Sequence, residues 1–326
     1  MKVLGLSFGH SGGTCDIAVK QALKGIMDAN HEDVAFLNVC NLKIDRCTGC
    51  GACDRRRDNG GMSMCVLPDD FPFVEKQIVD ADALIVASPV YVLGPPGQYK
   101  NLVDRLGPSH DQSFLLKENE RRRALGWSED KMIPEKYFKN RPLALISIGG
   151  ARTEGWTSMG LSNMYLLGFP MHMVPVDALN IYDMGDKVSP ILDDTMRERL
   201  MQMGKNVLQE MGKPQMHMQW HGDKEGVCPI CHCDQLTVRD GTTVECSVCG
   251  SIGTLEVLDG KIHVIYPQKQ LERSRYRPGG DMEHCLEIKS FVEVVPKVIE
   301  KYGARIQELE ADLECVPVIK KNTCKK

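Results

Sequence analysis

Long apolar runs are missing from this 326-residue chain. No stretch approaches the roughly 18 consecutive apolar residues that cross a bilayer as a helix. The opening MKVLGLSFGHSGGT also lacks the apolar core of a signal peptide, because its short run ends in a glycine-rich turn. No membrane partner is expected, and a cytoplasmic location is. A surplus of basic charge is missing too. Forty Lys and Arg stand against 44 Asp and Glu, giving a net charge of −4 and a pI of about 6.2. No global basic field draws such a chain to nucleic acid or anionic lipid, so nucleic acid is not an expected partner. Internal repeats and low-complexity tracts are likewise absent.

Cysteine is abundant instead, with 14 residues. Reducing compartments disfavour disulfides, so clustered cysteines there point to metal or redox chemistry. Eight of them form two groups. Cys47, Cys50 and Cys53 follow one another at a spacing of three, and eleven residues intervene before Cys65. A C-x-x-C-x-x-C run wraps one strand of chain around a cubane, and a cysteine further on completes it, so a [4Fe–4S] cluster suits this group better than zinc. Cys228, Cys231, Cys246 and Cys249 form two C-x-x-C knuckles separated by fourteen residues. That is a zinc-ribbon pattern, with four-thiolate iron as the alternative. His232 and Cys233 stand close to it. Cys15 and Cys40 read as small buried hydrophobes, and Cys315 and Cys324 lie in a polar tail. The run Arg55–Arg57 reads as a solvated loop, or as charge that offsets a thiolate cluster.

Strand and helix patterns alternate five times. Strands are expected at 2–8, 34–39, 83–89, 142–150 and 172–179. Helices are expected at 14–29, from 71, at 96–106, at 156–168 and at 190–211. This predicts a doubly wound α/β fold with a five-stranded parallel sheet. A charged insertion spans 107–141. The predicted organisation is a first domain over 1–212, a linker at 213–227 with solvent-facing His217 and His221, a small β module at 228–270, and a helical extension at 271–326. KQLERSRYR at 269–277 is the one basic patch, available to a partner or second subunit.

Three turns follow predicted strands. The first, SFGHSGGT, places Ser7, Gly9, Ser11, Gly12, Gly13 and Thr14 before a helix, where free amides and the helix dipole favour a phosphate. Its glycine spacing differs from the dinucleotide pattern and fits a mononucleotide. The second, SPVYVLG, holds Pro89, Val90, Tyr91, Val92 and Gly94. The third holds Gly149, Gly150 and Ala151, with Arg152 next. In an open α/β sheet, ligands bind beyond the carboxyl ends of strands, so these three turns read as one site. His110 and Asp111, after a Gly-Pro-Ser turn, are candidates to lie over a bound ring and deliver a proton, and so is Tyr91.

These residues resemble the NADPH-dependent FMN reductase branch of the flavodoxin-like superfamily over about 1–212. Ser7, Gly12 and Thr14 match its first loop, while Gly9 and Gly13 replace the usual arginine and asparagine. SPVYVLG followed by KNLVDRL matches its second motif. The stretch 47–65, with VLPDD after it, resembles the iron–sulfur flavoprotein subgroup. The resemblance implies FMN, with its phosphate at Ser7–Thr14 and its ring against Pro89–Gly94 and Gly149–Ala151. It further implies a [4Fe–4S] cluster, NAD(P)H or ferredoxin as electron donor, and a homo-oligomer, dimer or tetramer, in which one subunit's cluster approaches another's flavin. The expected function is an FMN- and cluster-dependent oxidoreductase acting on a small molecule. Its alternatives are a simple FMN-dependent quinone or nitro reductase with zinc at both cysteine groups, an electron carrier, and a redox-sensing binding protein.

Overall fold

The computed structural model describes residues 1–29 and 33–319. Cys324 and the end of the polar tail lie outside them. Five parallel strands, β1 (Val3–Ser7), β2 (Val34–Asn38), β3 (Ala83–Pro89), β4 (Pro142–Ile148) and β5 (Val174–Ile181), form one sheet in the order β2-β1-β3-β4-β5. This is the flavodoxin-like order. The central strands ALIVASP and PLALISI are almost wholly buried, as strands covered on both faces must be.

Helix α1 (Thr14–Met27) returns the chain from β1 to β2. The cysteine stretch carries α2 (Ala52–Asp58), and α3 (Phe71–Asp80) leads into β3. Next come α4 (Gly97–His110) and α5 (Gln112–Ala124), then α6 (Gly160–Met164), α7 (Met184–Lys187) and α8 (Asp194–Glu210). Side chains of α1 and α8 build the core on one face of the sheet, and those of α3 and α4 build it on the other. The first pair meets backbone to backbone. A Cβ on Gly204 would fall 2.0 Å from the Ala22 carbonyl oxygen, and one on Gly25 would fall 2.2 Å from that of Met201. Only glycine permits that approach.

Two expectations change here. The predicted helix at 156–168 breaks into a 3-10 turn (Glu154–Thr157), α6 and a second 3-10 turn (Tyr165–Leu167). The insertion is largely helical, because α4 continues through Pro108 and Asp111 caps α5 by accepting from the Ser113 and Phe114 amides. Its α5 grips the cysteine stretch. The buried Arg122 donates to the carbonyls of Arg57 and Gly61 and pairs with Glu118 at 2.7 Å, while Arg121 donates to Asp58 O. Arg57 is not solvated. It is buried, ion-paired to Asp54 and lies over the Phe114 ring.

The C-terminal β module is a four-stranded antiparallel sheet of β6 (Leu236–Asp240), β7 (Thr243–Cys246), β8 (Ile252–Leu258) and β9 (Lys261–Ile265). Its cysteines join the main apolar core beside Tyr165 and Tyr276. The stretch before it does not hang free. The His221 amide extends β5 by donating to Val176 O, and its ring meets Glu210 at 2.7 Å, so His221 faces a carboxylate and not solvent. The basic patch is partly internal as well. After α9 (Gln268–Glu272), Tyr276 is buried with its hydroxyl on Tyr165 O, and Arg275 donates to Val248 O. The chain divides into two compact units, and the first runs from Met1 to Met282, across all the boundaries expected from sequence. The second begins at Glu283 and consists of the body of α10 (Pro278–Leu313) and the residues after it.

Within the first unit, two carboxylates share a buried niche. Asp281 Oδ2 accepts from the Ser113 amide at 3.0 Å and lies 3.0 Å from His172 Nε2. Burial would raise Asp281, but these bonds outweigh it and keep Asp281 ionised. Burial and the neighbouring Asp281 charge push Asp111 up to about 8, so Asp111 carries the proton. An acid raised on folding keeps its proton while the unfolded chain has already lost it, so its contribution to stability declines as pH rises from about 4 to 8. Asp111→Asn, which can still cap α5, will flatten that decline by on the order of 2 kcal/mol in chemical denaturation compared at pH 5 and 8.

Candidate functional site

All five parallel strands end at one edge, and the three expected turns lie there. Ser7 closes β1 with its hydroxyl fully buried and without a partner. The loop then passes Gly12 at φ +76° and enters α1, whose first turn has no side-chain cap. An unpartnered hydroxyl beside uncapped helix amides fits a phosphate. Sequence reading missed two members of this loop. Asp16, buried in the first turn, accepts from the Gly12 amide at 2.8 Å, and Asn38 at the end of β2 donates to Asp16 at 2.7 Å and to Gly9 O at 2.9 Å. They fix the loop's shape and occupy the Gly12 donor. The His10 ring fills the space that a side chain at position 13 would need.

After β3 the chain makes a two-residue hairpin turn, with Tyr91 N donating to Gly94 O at 2.8 Å. Both central residues are left-handed, Val92 at φ +48° and Leu93 at φ +70°. Asparagine and glycine normally fill such a turn, and a β-branched residue there is strained. Val92 is 99% exposed. After β4, Gly149, Gly150 and Ala151 are tied to the chain beyond β5 by bonds from Asp183, Met184 and Gly185. A Cβ on Gly149 would meet Thr157 at 2.3 Å. Arg152 pairs with Asp186 at 2.6 Å on the exposed rim.

A largely apolar cavity of about 410 Å³ opens beyond β5 next to this third turn. Ile181, Tyr182, Met184, Leu192 and Met196 line it, with Asn180, Lys187, Ser189 and Asp193 as polar members. Asn180 Nδ2 is spent on Thr157, and its buried Oδ1 has no partner. No sequence motif marks this cavity.

His110 and Asp111 do not stand at this edge. Helix α4 starts beside the β3 turn and runs down the sheet, so its last residues reach the opposite end, near Arg141 at the start of β4. His110 is buried there, stacked on Tyr137 and 3.4 Å from Glu75. Burial pushes His110 down to about 3 and Glu75 up to about 7. Asp111 is a helix cap. The catalytic assignment of both residues is therefore corrected, and Tyr91, at the turn and exposed, is the candidate of the three that remains at the edge.

The two cysteine groups differ in geometry. Cys228, Cys231, Cys246 and Cys249 are fully buried, with their sulfurs all within 4.8 Å of one another. Thiolates around one tetrahedral ion stand about 3.8 Å apart, given bonds of about 2.3 Å, so this set fits a single metal ion. The buried Cys233 stands outside it and accepts from the Gln235 amide. Cys47, Cys50, Cys53 and Cys65 line one cavity of about 140 Å³ with Arg105 and Pro108. Among the described residues they do not close to single-ion spacing. Arg105 pairs with Asp69 and faces Cys65, and its buried Nε and Nη2 lack partners. Hydrogen bonds from the Ala52 amide and Thr48 pull the Cys50 thiol down. An open ring of thiols with unused cationic donors fits a multi-iron cluster with its sulfides.

Residues 1–184 match the family of NADPH-dependent FMN reductases. The chain is 27% identical over 300 residues to the flavone synthase cfoJ of Aspergillus candidus, covering 89% of each protein. It is 30% identical over 157 residues to an iron–sulfur flavoprotein of Methanosarcina thermophila, covering 48% of this chain and 66% of that one. The solved structure of a flavone reductase superposes with a TM-score of 0.81 at 24% identity, covering 99% of this chain and all of that one, which shows a shared fold.

The strained turn makes a direct prediction. Replacing Val92 and Leu93 by Asn and Gly will stabilise the protein by about 1–3 kcal/mol in thermal or urea unfolding, because the left-handed backbone is then unstrained.

Proposed function

The chain belongs to the NADPH-dependent FMN reductase family, and on that premise we propose an oxidoreductase that uses FMN and a [4Fe–4S] cluster to add or remove hydrogen at a carbon–carbon double bond of a flavone-type substrate. The observation that carries the reading is the pairing of the three-turn edge with an apolar cavity of about 410 Å³ beside it. That volume is in the range of small-molecule sites. Two relatives matched along nearly their whole length are named for flavones, planar polyphenolic ketones of a size and polarity that suit such a cavity.

Bound FMN would supply hydride exchange, with NAD(P)H as a hydride donor to it, and a cluster would pass single electrons from ferredoxin. Ser7 and the first amides of α1 hold the phosphate. The glycines at 149 and 150 leave the third turn without side chains, so a flat ring can approach it. Tyr182, Met184 and Leu192 exclude water from an aromatic guest, and Asn180 Oδ1 accepts from one of its hydroxyls. Tyr91 carries the proton that accompanies hydride at the neighbouring carbon. Cys47, Cys50, Cys53 and Cys65 hold the cluster, with Arg105 offsetting its negative charge. Cys228, Cys231, Cys246 and Cys249 hold a structural zinc in a ribbon-like module. The enzyme works as a homo-oligomer. An electron carrier would have no use for the cavity, and zinc at both cysteine groups conflicts with the open spacing of the first.

Anaerobically purified protein will carry one FMN, about four iron, four sulfide and one zinc per chain. With dithionite or NAD(P)H it will bleach the near-ultraviolet band of a hydroxylated flavone. Tyr91→Phe will lower kcat about tenfold or more with little change in KM. Flavin with zinc alone would remove the cluster from the reading. A loaded enzyme inert to flavones would remove the substrate class.

A further inference from the structure

The second compact unit raises a separate question, since its helix is apolar without a core of its own. From Ile288 the apolar residues recur at alternating steps of four and three up to Leu313. Val292, Ile299, Ile306 and Leu313 take the first position of a heptad, a. Ile288, Val295, Tyr302 and Leu309 take the fourth, d. The period is 3.5 residues, that of a supercoiled pair, sustained over about 38 Å of helix. Apart from the half-buried Ile306, these residues are exposed, Val292 at 79% and Leu313 at 65%. Eight apolar side chains in one stripe are not the isolated surface hydrophobes that need no explanation.

We propose that residues 288–313 pair with the same segment of a second copy as a parallel, in-register, two-stranded coiled coil. The flanking positions choose the occupant and the direction. In a parallel pair, each g residue faces the e residue five places on in its partner. Here Phe291 faces the partner's Pro296, Val298 faces the partner's Gly303, and Arg305 faces the partner's Glu310. Apolar meets apolar or small, and the one charged pair is opposite in sign. Arg305 also holds Glu308 of its own chain at 2.8 Å, an exposed pair that competes weakly. A fully overlapped antiparallel pair would set Phe291 against Asp312 and Val298 against Arg305. Joining Arg305 to Asp312 across an antiparallel pair would centre the overlap near 308 and leave the first part of the seam in water. Val292, Ile299 and Ile306 place β-branched residues at a, as parallel pairs do, and Leu309 supplies one leucine at d. Pro296 falls at e and stays off the seam.

The test is the mass of the full-length, FMN-loaded chain by light scattering and sedimentation equilibrium. The wild type will be a dimer or a higher even assembly. Val292→Asp combined with Ile299→Asp will halve the number of subunits, with flavin absorbance and the far-ultraviolet spectrum of the first unit kept. Arg305→Glu will weaken association about tenfold, and adding Glu310→Arg will restore it, because the two mutated positions face each other only in the parallel register. A monomeric wild type, alone or with another protein bound, overturns the proposal. So does an assembly whose size ignores the two aspartates. Loss without rescue in the charge-swapped pair overturns the parallel register.

Discussion

Parallel pairing of the five strands is the constraint on which the arrangement depends. Each strand leaves the sheet at the same edge, and a helix must carry the chain back before the next can begin. This puts the turns after Ser7, Pro89 and Ile148 together, although about 140 residues separate the first from the last. It also sends the far ends of α3 and α4 to the opposite edge. The two ends then specialise. One offers an unpartnered hydroxyl, uncapped amides and a strained turn. The other gathers Arg141, Glu75, His110 and Asp111, all of them buried. Titratable groups with shifted pKa values usually recommend a site. Here the topology overrules that guide, because the shifted groups sit where strands begin.

The two cysteine groups illustrate how surroundings divide similar chemistry. The group at 228–249 is sealed in apolar core among tyrosines, so an ion there crosslinks a module whose own sheet buries little. The group at 47–65 lies at half-buried to exposed positions around an open cavity. Electron exchange requires approach by a partner, and a sealed site would prevent it. The same side chain is thus sealed away in one place and left approachable in the other.

Much of this was legible in the sequence. The strands emerged because fully buried parallel strands read as unbroken apolar runs, and 83–89 and 142–148 are such runs. The three turns emerged because glycine, serine and proline are needed where backbone approaches a ligand. The two cysteine groups read differently from their spacing and from the resemblance of the first to flavoproteins. What failed was tertiary. Nothing in GPSHD says whether the helix before it stops at Leu106 or continues, and its continuation through Pro108 moves His110 to the wrong end of the sheet. The linker looked free because its polar residues find partners far off in sequence, such as Tyr276 O for Gln215 and Val176 O for the His221 amide. Asn180 and the cavity beyond β5 carry no local signal at all. The heptad at 288–313 was present in the sequence and was masked by its proline and glycine, which fall on the flank.

Arginine explains how an irregular cysteine loop keeps its shape. Between Cys47 and Cys65 there is one short helix and little apolar side chain to pack. Arg122 reaches in from α5 and spends its guanidinium on three carbonyls, those of Arg57, Gly61 and Lys131, while Glu118 balances the charge. Arg141 does the same for the end of α3, donating to Val79, Ala81 and Lys136. A lysine offers three donors from one point and could not span acceptors so far apart, whereas the planar fork can. Burying such a charge is costly unless every donor is used, and these two arginines meet that condition through backbone oxygens. Arg105 departs from it. It is equally buried and paired to Asp69, yet two of its nitrogens are unspent and lie at the cysteine cavity. Arg57, buried in the loop itself, shares that departure at its Nη1, so the two guanidiniums left incompletely satisfied among the described residues both stand at the cysteine loop.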